Sequence, residues 1–251
     1  MNNRFNIAFE FIENSFSNEV TILHYENAIT RVGLWDSEKT ILLHYFNLSD
    51  KILIAGCGAG RVPFGLHTIG FQSLYGVDIS KLMIQKALYY SKTHNIDMSF
   101  CVGNIVNMPY DNSFFNGVFM PYNVLMHIPS YSNRLKSLLE VKRILLPNSY
   151  FIFTTHNDRN ASLEWLNYWN EEKIKWDNGL YDSRLFEYGD RIVADKGSSI
   201  FMHFPTNDEV VQLIKDADFN LVETKLRSEI CNEPENVSNF SLDCRFWVVQ
   251  N

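Results

Sequence analysis

Short apolar runs and helical-period stretches alternate through the middle of the chain. The runs predict five strands, at residues 51–55, 73–77, 98–102, 117–120 and 150–155. Between them, apolar side chains recur every three or four positions over residues 62–69, after Ser80 and after Ser132, which predicts helices. Alternating strands and helices with short connections predict an α/β fold, a doubly wound sheet of parallel strands.

The two ends of the chain have other patterns. Residues 1–48 are predicted to be mainly helical, with Ser37 at one helix start. Residues 157–205 are polar and rich in aromatics, which predicts an inserted helical lid. Thr206 and Glu209 form a T-x-x-E capping box, and residues 219–226 and 240–249 predict a final antiparallel hairpin.

These patterns predict one domain with four parts. An N-terminal helical cap (1–48) precedes a cofactor-binding core (49–156), and a substrate lid (157–205) precedes a C-terminal helix and strands (206–251). The helix after Ser132 is predicted to run through Leu145 and Leu146 and to end at the turn formed by residues 147–149.

Composition narrows the class of protein. Of 251 residues, 46% are hydrophobic and 20% charged, which indicates a folded chain, and the net charge of -7 argues against a broad nucleic-acid surface. The four cysteines and seven histidines match no metal template, so no metal is expected. Charges interrupt the first apolar positions, and no run is long enough to span a membrane, so a cytoplasmic protein is predicted.

The sequence KILIAGCGAGR places Gly56, Gly58 and Gly60 directly after the first strand. Such a turn lets a ligand or a helix approach the backbone closely. The dinucleotide fingerprint requires a third glycine where Arg61 stands, and the phosphate-loop motif is absent. The turn therefore favours a group that is less bulky and less anionic than a pyrophosphate.

Polar residues end the next strands. Asp78 lies 22 residues after Gly56, where a carboxylate can accept from both ribose hydroxyls, although capping a helix is an equal alternative. Asn104 could bond an adenine edge while Ile105 packs on its face, or both could belong to a plain polar loop.

Together these motifs resemble the class I S-adenosylmethionine-dependent methyltransferases. The resemblance covers roughly residues 49–156, through KILIAGCGAGR, GVDIS, GNIVNMPY, FNGVFMPYNVLMHIP and LLEVKRILLPNSYFIFT, with a weaker match from 201 to 250. It implies a seven-stranded, mostly parallel, Rossmann-like sheet and S-adenosyl-L-methionine as the cofactor. The cofactor-binding residues that it implies are Ala55, Gly56, Cys57, Gly58, Gly60, Arg61, Asp78, Ile79, Met83, Asn104, Ile105 and Tyr122.

Three positions depart from the family. Ile54, Asn104 and Asn116 stand where the family usually has acids. Ile54 cannot make a carboxylate's contacts near the cofactor amine, so cofactor affinity is expected to be weakened or compensated by water and neighbouring backbone. A binding protein with this fold and no catalytic activity is therefore one alternative.

Methyl transfer requires alignment and, for a protic acceptor, a base. Tyr122, His127 and His156 are the candidates, each weighed against a purely structural role. The resemblance places Tyr122 close to the transferable methyl group.

The predicted partner is a small molecule with an N or O acceptor, bound by a monomer or homodimer. Residues 157–190 carry eight acidic and four basic side chains, which argues against nucleic acid. An RNA methyltransferase, a nicotinamide oxidoreductase and a cofactor-free interaction protein are the competing hypotheses. The predicted substrate contacts are Tyr25, Trp35, Trp165, Trp169 and His203.

Overall fold

The computed structural model describes residues 2–195 and 198–251, without the side chains of residues 2–8, 195 and 198. The helices are α1 (Asn2–Ser15), α2 (Glu19–Arg31), α3 (Asp36–Tyr45), α4 (Arg61–Thr68), α5 (Lys81–Thr93), α6 (Tyr131–Ile144), α7 (Leu163–Asp177), α8 (Asn207–Asp216), α9 (Arg227–Ile230) and α10 (Glu235–Phe240), with a 3₁₀ turn at Val124–His127. The strands are β1 (Lys51–Ala55), β2 (Ser73–Asp78), β3 (Ser99–Val102), β4 (Phe115–Met120), β5 (Leu145–His156), β6 (Asp190–Asp195), β7 (Ser198–His203), β8 (Asn220–Leu226) and β9 (Cys244–Gln250).

Seven strands form the main sheet in the order β3-β2-β1-β4-β5-β9-β8. The first five run parallel, whereas β9 is antiparallel to both of its neighbours. The predicted seven-stranded, mostly parallel sheet is confirmed. Its order reverses between β1 and β4, and ligands of such sheets bind beyond the strand ends at that point.

The central strands are buried on both faces, as parallel strands are when helices cover each side. Along β1, Leu53 faces one apolar cluster with Val118 and Phe151, while Ile52 and Ile54 face the other. This burial on both faces explains why residues 51–55 read as a continuous apolar run.

Two predicted boundaries of the helix after Ser132 are wrong. The helix starts at Tyr131, and Ser132 lies inside it. Leu145 already belongs to β5, where it pairs with Phe115 of β4, and the strand continues through residues 147–149. Pairing with β4 therefore overrides the helical spacing of the leucines, and Asn148 adopts a left-handed φ of 63° within the strand. Ser37 likewise lies one residue inside α3, which begins at Asp36.

The segment 157–205 is not wholly helical, contrary to prediction. It contains α7 and then an antiparallel hairpin, β6–β7, and residues 196 and 197 lie outside the described ranges. The final strands are also shorter than predicted, because α9 and α10 fill the connection and β9 starts at Cys244. The capping box of Thr206 and Glu209 is confirmed, with Glu209 N donating to Thr206 Oγ1 over 3.2 Å.

Candidate active site

A cavity of about 950 Å³, measured with its open mouth, lies beyond the carboxyl ends of β1, β2, β3 and β4. Helices α1 and α2 wall it on the side facing away from the sheet. Of the predicted site residues, the structure brings twelve to its lining: Tyr25, Gly56, Cys57, Gly58, Arg61, Asp78, Ile79, Met83, Asn104, Ile105, Tyr122 and His127.

The three glycines of the turn have different reasons to be glycine. A Cβ on Gly56 would lie 2.5 Å from Val124 Cγ2, and one on Gly60 would lie 2.3 Å from Phe64 Cε2. A Cβ on Gly58, by contrast, would meet no atom within 4 Å, and Gly58 lines the cavity. All three have left-handed φ angles, which favour glycine, and packing excludes a side chain at Gly56 and Gly60 in addition, whereas the space beside Gly58 is open.

The N–H groups of the turn bond to the protein itself. Gly56 and Cys57 both donate to the carbonyl of Val77, and Gly58 N donates to Asp78 Oδ2 over 2.8 Å. An anion cradle needs N–H groups that point at the ligand. These N–H groups already donate to acceptors within the protein and therefore do not point at a ligand. This agrees with the sequence argument against a pyrophosphate.

Asp78 ends β2 with both carboxylate oxygens hydrogen-bonded. Gly58 N donates to one oxygen, and Ser80 N donates to the other over 2.9 Å. Burial raises the pKa of Asp78 above its ordinary 3.8, against the two backbone hydrogen bonds, which lower it. Ser80 caps α5 by accepting from Met83 N, so the capping role belongs to Ser80 and not to Asp78.

The three positions that depart from the family serve the fold in ways that need no carboxylate. Ile54 is fully buried in an apolar cluster with Phe119. Asn104 Oδ1 accepts from Val106 N over 3.1 Å, and Asn116 Oδ1 accepts from Lys51 N over 3.0 Å, which ties β4 to the start of β1.

A buried ion pair joins the N-terminal helices to the glycine turn. Both terminal nitrogens of Arg61 donate to Glu38 over 2.7 Å, and one also donates to the carbonyl of Gly33. The guanidinium lies 4.8 Å from the ring centroid of Trp35, a separation that suits a cation–π contact. A carboxylate from α3 therefore holds the first residue of α4, directly after the turn.

Backbone strain marks the segment after β4. Tyr122 and Asn123 both have left-handed φ angles, of 52° and 58°. Such angles are costly for non-glycine residues and cluster at functional sites. Tyr122 lines the cavity, whereas Asn123 lies behind the wall, where its N donates to Thr154 Oγ1.

The two candidate histidines differ in their surroundings. His127 lines the cavity, and its Nδ1 lies 2.9 Å from the carbonyl of Phe201 on β7. His156 lies outside the lining, beside Asn123, with its ring stacked on Phe204. Burial, and to a lesser degree nearby His127, lowers the pKa of His156 to about 3. A histidine with so low a pKa is a poor base at neutral pH, so His127 is the better placed of the two.

Several predicted site residues lie away from the cavity. Ala55 and Trp35 are fully buried, and Gly60 faces Phe64. Trp165 and Trp169 line a separate groove on the lid with Phe204. The two lid tryptophans thus lie outside the cavity, and their contact with a substrate stays a prediction.

His203 anchors the lid hairpin and does not reach the cavity. Its Nδ1 lies 2.8 Å from Asp190 Oδ1, and Asp190 also accepts from the backbone N–H of Phe186 and Glu187. Glu187 in turn pairs with buried Arg134 of α6. Glu187, Asp190 and His203 are close enough together to hold a cation, but these bonds already use their ligand atoms.

Sequence reasoning named Tyr25 of α2 on the wall opposite the sheet but missed the other residues of that wall. Phe9 and Ile12 of α1 line the cavity, as do Phe16 directly after α1 and Val124 and Ile128 after β4. The linker after α1 is held there because Ser80 Oγ donates to the carbonyl of Phe16. The spacing of Phe9, Ile12 and Phe16 was the available signal, because it gives α1 and the residue after it an apolar face that needs a partner.

Comparison with known proteins identifies the family. A family model described as a methyltransferase domain matches residues 48–218, more than half of the chain. The chain belongs to the methyltransferase domain family. The expected class I, S-adenosylmethionine-dependent type is confirmed.

Solved structures support the fold of this methyltransferase. A SAM-dependent methyltransferase from Methanosarcina mazei is similar with a TM-score of 0.66 at 21% identity, covering 84% of this chain and 96% of that one. A geranyl diphosphate C-methyltransferase from Streptomyces coelicolor has a TM-score of 0.56 at 13% identity, covering 85% and 77%.

Curated relatives match only in part. An uncharacterized methyltransferase of Schizosaccharomyces pombe is 27% identical over 51% of this chain and 50% of its own length. The 24-methylenesterol C-methyltransferase 3 of Arabidopsis thaliana is 29% identical over 41% of this chain and 28% of its own. The chain thus spans half or less of the length of these relatives. Within the described ranges, no helix has the length and apolar character needed to cross a membrane.

The cavity fits the family's cofactor, S-adenosyl-L-methionine. The open space at Gly58 admits a ligand next to the turn, and the carboxylate of Asp78 is a suitable acceptor for ribose hydroxyls. Asn104 and Ile105 line the same cavity and offer an amide and an apolar surface for adenine. The buried thiol of Cys57 has a strongly raised pKa, so it stays protonated beside this site.

Proposed function

We propose that this methyltransferase transfers a methyl group from S-adenosyl-L-methionine to a nitrogen or oxygen atom of a small molecule. The observation that carries the proposal is the shape of the cavity. One wall consists of the strand ends with the glycine turn and Asp78, and the opposite wall consists of apolar side chains from α1 and α2. Such an enclosure suits a small acceptor held next to the cofactor in a dry site.

Each part of the chain has a distinct role in this proposal. The cofactor, when bound, supplies a methyl group carried on a sulfonium. Asp78, Asn104 and Ile105 hold its nucleoside, and Gly58 gives it room at the turn. Tyr122 shapes the wall near the acceptor, and His127 is the residue that accepts a proton.

A nucleic-acid acceptor is not favoured. The segment 157–190 carries twice as many acidic as basic side chains. Arg159 of this segment and Arg191 directly after it also lie over aromatic rings of the segment, with Arg159 4.9 Å from Tyr188 and Arg191 4.3 Å from Trp169. Phosphate contacts need basic side chains that are available to the ligand.

Calorimetric titration with S-adenosylhomocysteine tests the proposal. We expect micromolar binding to the wild type and a loss of about 100-fold or more in Asp78→Ala, because two charge-assisted hydrogen bonds disappear. Asp97→Ala, which removes an exposed acid in the loop before β3, is the matched control and should bind normally. A folded wild type that does not bind would refute the proposal and leave the binding-protein alternative.

Product analysis completes the test. Mass spectrometry and NMR of the methylated acceptor distinguish transfer to nitrogen or oxygen from transfer to carbon. A carbon product would retain the cofactor assignment and overturn the choice of acceptor atom.

A further inference from the structure

Arg61 carries the positive charge of the cavity lining. Among the described lining residues it is the one lysine or arginine, and Asp78 is the one carboxylate. The two lie beyond neighbouring strands, because β2 ends at Asp78 and the turn after β1 leads into Arg61. Arg61 is also the first residue of α4, and the N-terminus of a helix favours an anion. A negatively charged ligand group in this cavity therefore has its counter-charge beside the glycine turn.

Hydrogen bonds within the protein use three of the five N–H groups of Arg61. Nη1 donates to the carbonyl of Gly33 over 2.8 Å and to Glu38 Oε2 over 2.7 Å, and Nη2 donates to Glu38 Oε1 over 2.7 Å. The remaining N–H groups, on Nε and Nη2, point side by side from one edge of the planar guanidinium. Two parallel N–H groups of this kind bind a carboxylate through both of its oxygens.

This unused edge of Arg61 is accessible to a ligand. In the part of the chain that the structure describes, Arg227 and Arg245 each have a nitrogen that is buried without a hydrogen-bond partner, but Arg61 has none. Its Nε has no acceptor among the described residues either, so that nitrogen is not sealed off, and Arg61 lines the cavity. Glu38, in contrast, is 1% exposed and outside the lining. The ion pair thus fixes the guanidinium from behind and leaves one edge for the cavity.

The amino-acid end of the cofactor matches this edge. In the proposed function Asp78, Asn104 and Ile105 hold the nucleoside, and the strand order β3-β2-β1 leaves the space beside the turn and Arg61 for the rest of the cofactor. That part carries an ammonium and a carboxylate. A charge in a poorly hydrated cavity needs a partner of opposite charge. The carboxylate has one in Arg61, whereas the ammonium has none, because Asp78 is used for the ribose.

From these observations we infer that the edge of Arg61 formed by Nε and Nη2 binds the carboxylate of the cofactor's amino-acid end. Recognition of this end then depends on the carboxylate and not on the ammonium. Ile54 agrees with this assignment, because it is fully buried in an apolar cluster and supplies no carboxylate at the turn. The inference rests on the cofactor site of the proposed function and adds to it the residue that recognises the amino-acid end.

Three matched ligands test the inference by calorimetry on the wild-type protein. They are S-adenosylhomocysteine, its desamino analogue, in which hydrogen replaces the amino group, and its descarboxy analogue, in which hydrogen replaces the carboxylate. We expect the desamino analogue to bind within about threefold of S-adenosylhomocysteine. The descarboxy analogue should bind about 10- to 100-fold more weakly, since it loses charge-assisted hydrogen bonds.

The expected order differs from that of a general charge effect. The net charge of -7 attracts the cationic descarboxy analogue and repels the anionic desamino analogue. Tighter binding of the desamino analogue would therefore support a local contact with the carboxylate. Equal affinities of the two analogues, or tighter binding of the descarboxy analogue, would overturn the inference.

A double variant assigns the effect to Arg61. Arg61→Met combined with Glu38→Gln removes both buried charges together, so neither is left unpaired. It should bind the two analogues with affinities within about threefold of each other. Lys81→Met is the matched control, because it removes an exposed cation close to Asp78 and outside the lining, and it should keep the wild-type preference. A folded double variant that kept this preference would show that another group binds the carboxylate.

The two proposals fail separately. Absence of binding of all three ligands to folded wild type refutes the proposed function, and the inference with it. Normal binding of S-adenosylhomocysteine, without a preference for the desamino over the descarboxy analogue, refutes the role of Arg61 alone.

Discussion

The sequence indicated ligand-binding regions at the glycine turn and at the lid. Of these two regions, the glycine turn lines the cavity. Residues 56–61 and Asp78 lie at neighbouring strand ends and meet around one cavity. The lid aromatics meet one another instead: the ring centroid of Trp169 lies 5.3 Å from that of Tyr168 and 5.8 Å from that of Tyr188, and Trp169 is almost wholly buried. Aromatic abundance in the lid reflects packing of the lid itself.

The difference lies in what fixes each region. Parallel pairing of β1 with β2 places the turn beside Asp78 whatever the rest of the chain does. The lid, in contrast, is held by long-range ion pairs such as Arg134–Glu187 and by the bond from His127 to Phe201. Local motifs therefore indicated the wall of the cavity that the strand ends form, and tertiary contacts defined the opposite wall.

The largest expected effect comes from breaking the link between α3 and the glycine turn. Glu38→Ala leaves Arg61 buried and without its carboxylate, and we expect a loss of about 3–5 kcal/mol in the free energy of unfolding. Urea denaturation measures it. Asp177→Ala, which removes the exposed partner of Lys173, should cost less than about 0.5 kcal/mol. Similar losses in the two variants would show that the buried ion pair contributes no more to stability than the exposed one.

Substitutions separate the roles of two glycines in the turn. Gly60→Ala should cost about 2–4 kcal/mol, since its Cβ overlaps Phe64 and its φ is 106°. Gly58→Ala should lower the free energy of unfolding by only about 1 kcal/mol, because of its left-handed φ, yet it should weaken the binding of S-adenosylhomocysteine. Denaturation and calorimetry on the same samples separate the two effects. If Gly60→Ala alone impaired binding at unchanged stability, the assignment of the glycines would be reversed.

The lowered pKa of His156 predicts that the stability of the protein depends on pH. Its pKa is about 3 when folded and near 6.5 when unfolded, so below pH 6.5 the unfolded chain binds a proton that the folded chain does not. Stability should fall by about 2 kcal/mol from this residue between pH 7 and pH 5. His156→Phe should remove that part of the slope, while the exposed His67→Gln should not. An unchanged slope in His156→Phe would show that folding does not lower the pKa of His156.

The smallest effect is expected on the lid. Trp165 is 44% exposed and lies outside the cavity, so Trp165→Ala should change the affinity for S-adenosylhomocysteine less than about twofold. Ile12→Ala removes apolar contact area from the cavity lining and should weaken S-adenosylhomocysteine binding about tenfold. Calorimetry compares the two variants directly. The reverse order would place the ligand at the lid.

The sequence by itself determined the sheet, its parallel centre and the wall of the cavity that the strand ends form. Continuous apolar runs, a glycine turn after β1 and Asp78 after β2 are local signals, because neighbouring strands bring their ends together. Strand pairing then moved Leu145 from the predicted helix into β5, and no local pattern could have indicated that change.

Only the tertiary structure decided the wall of the cavity opposite the sheet. It placed α1 over the cavity, turned His127 toward the ligand space with its Nδ1 on Phe201, and enclosed His156 so that it stays neutral. It also showed that a Cβ on Gly56 or Gly60 would overlap Val124 or Phe64, whereas the space beside Gly58 is open to the cavity. The physical reason is that these roles depend on burial and on partners far along the chain, which a local sequence pattern does not record.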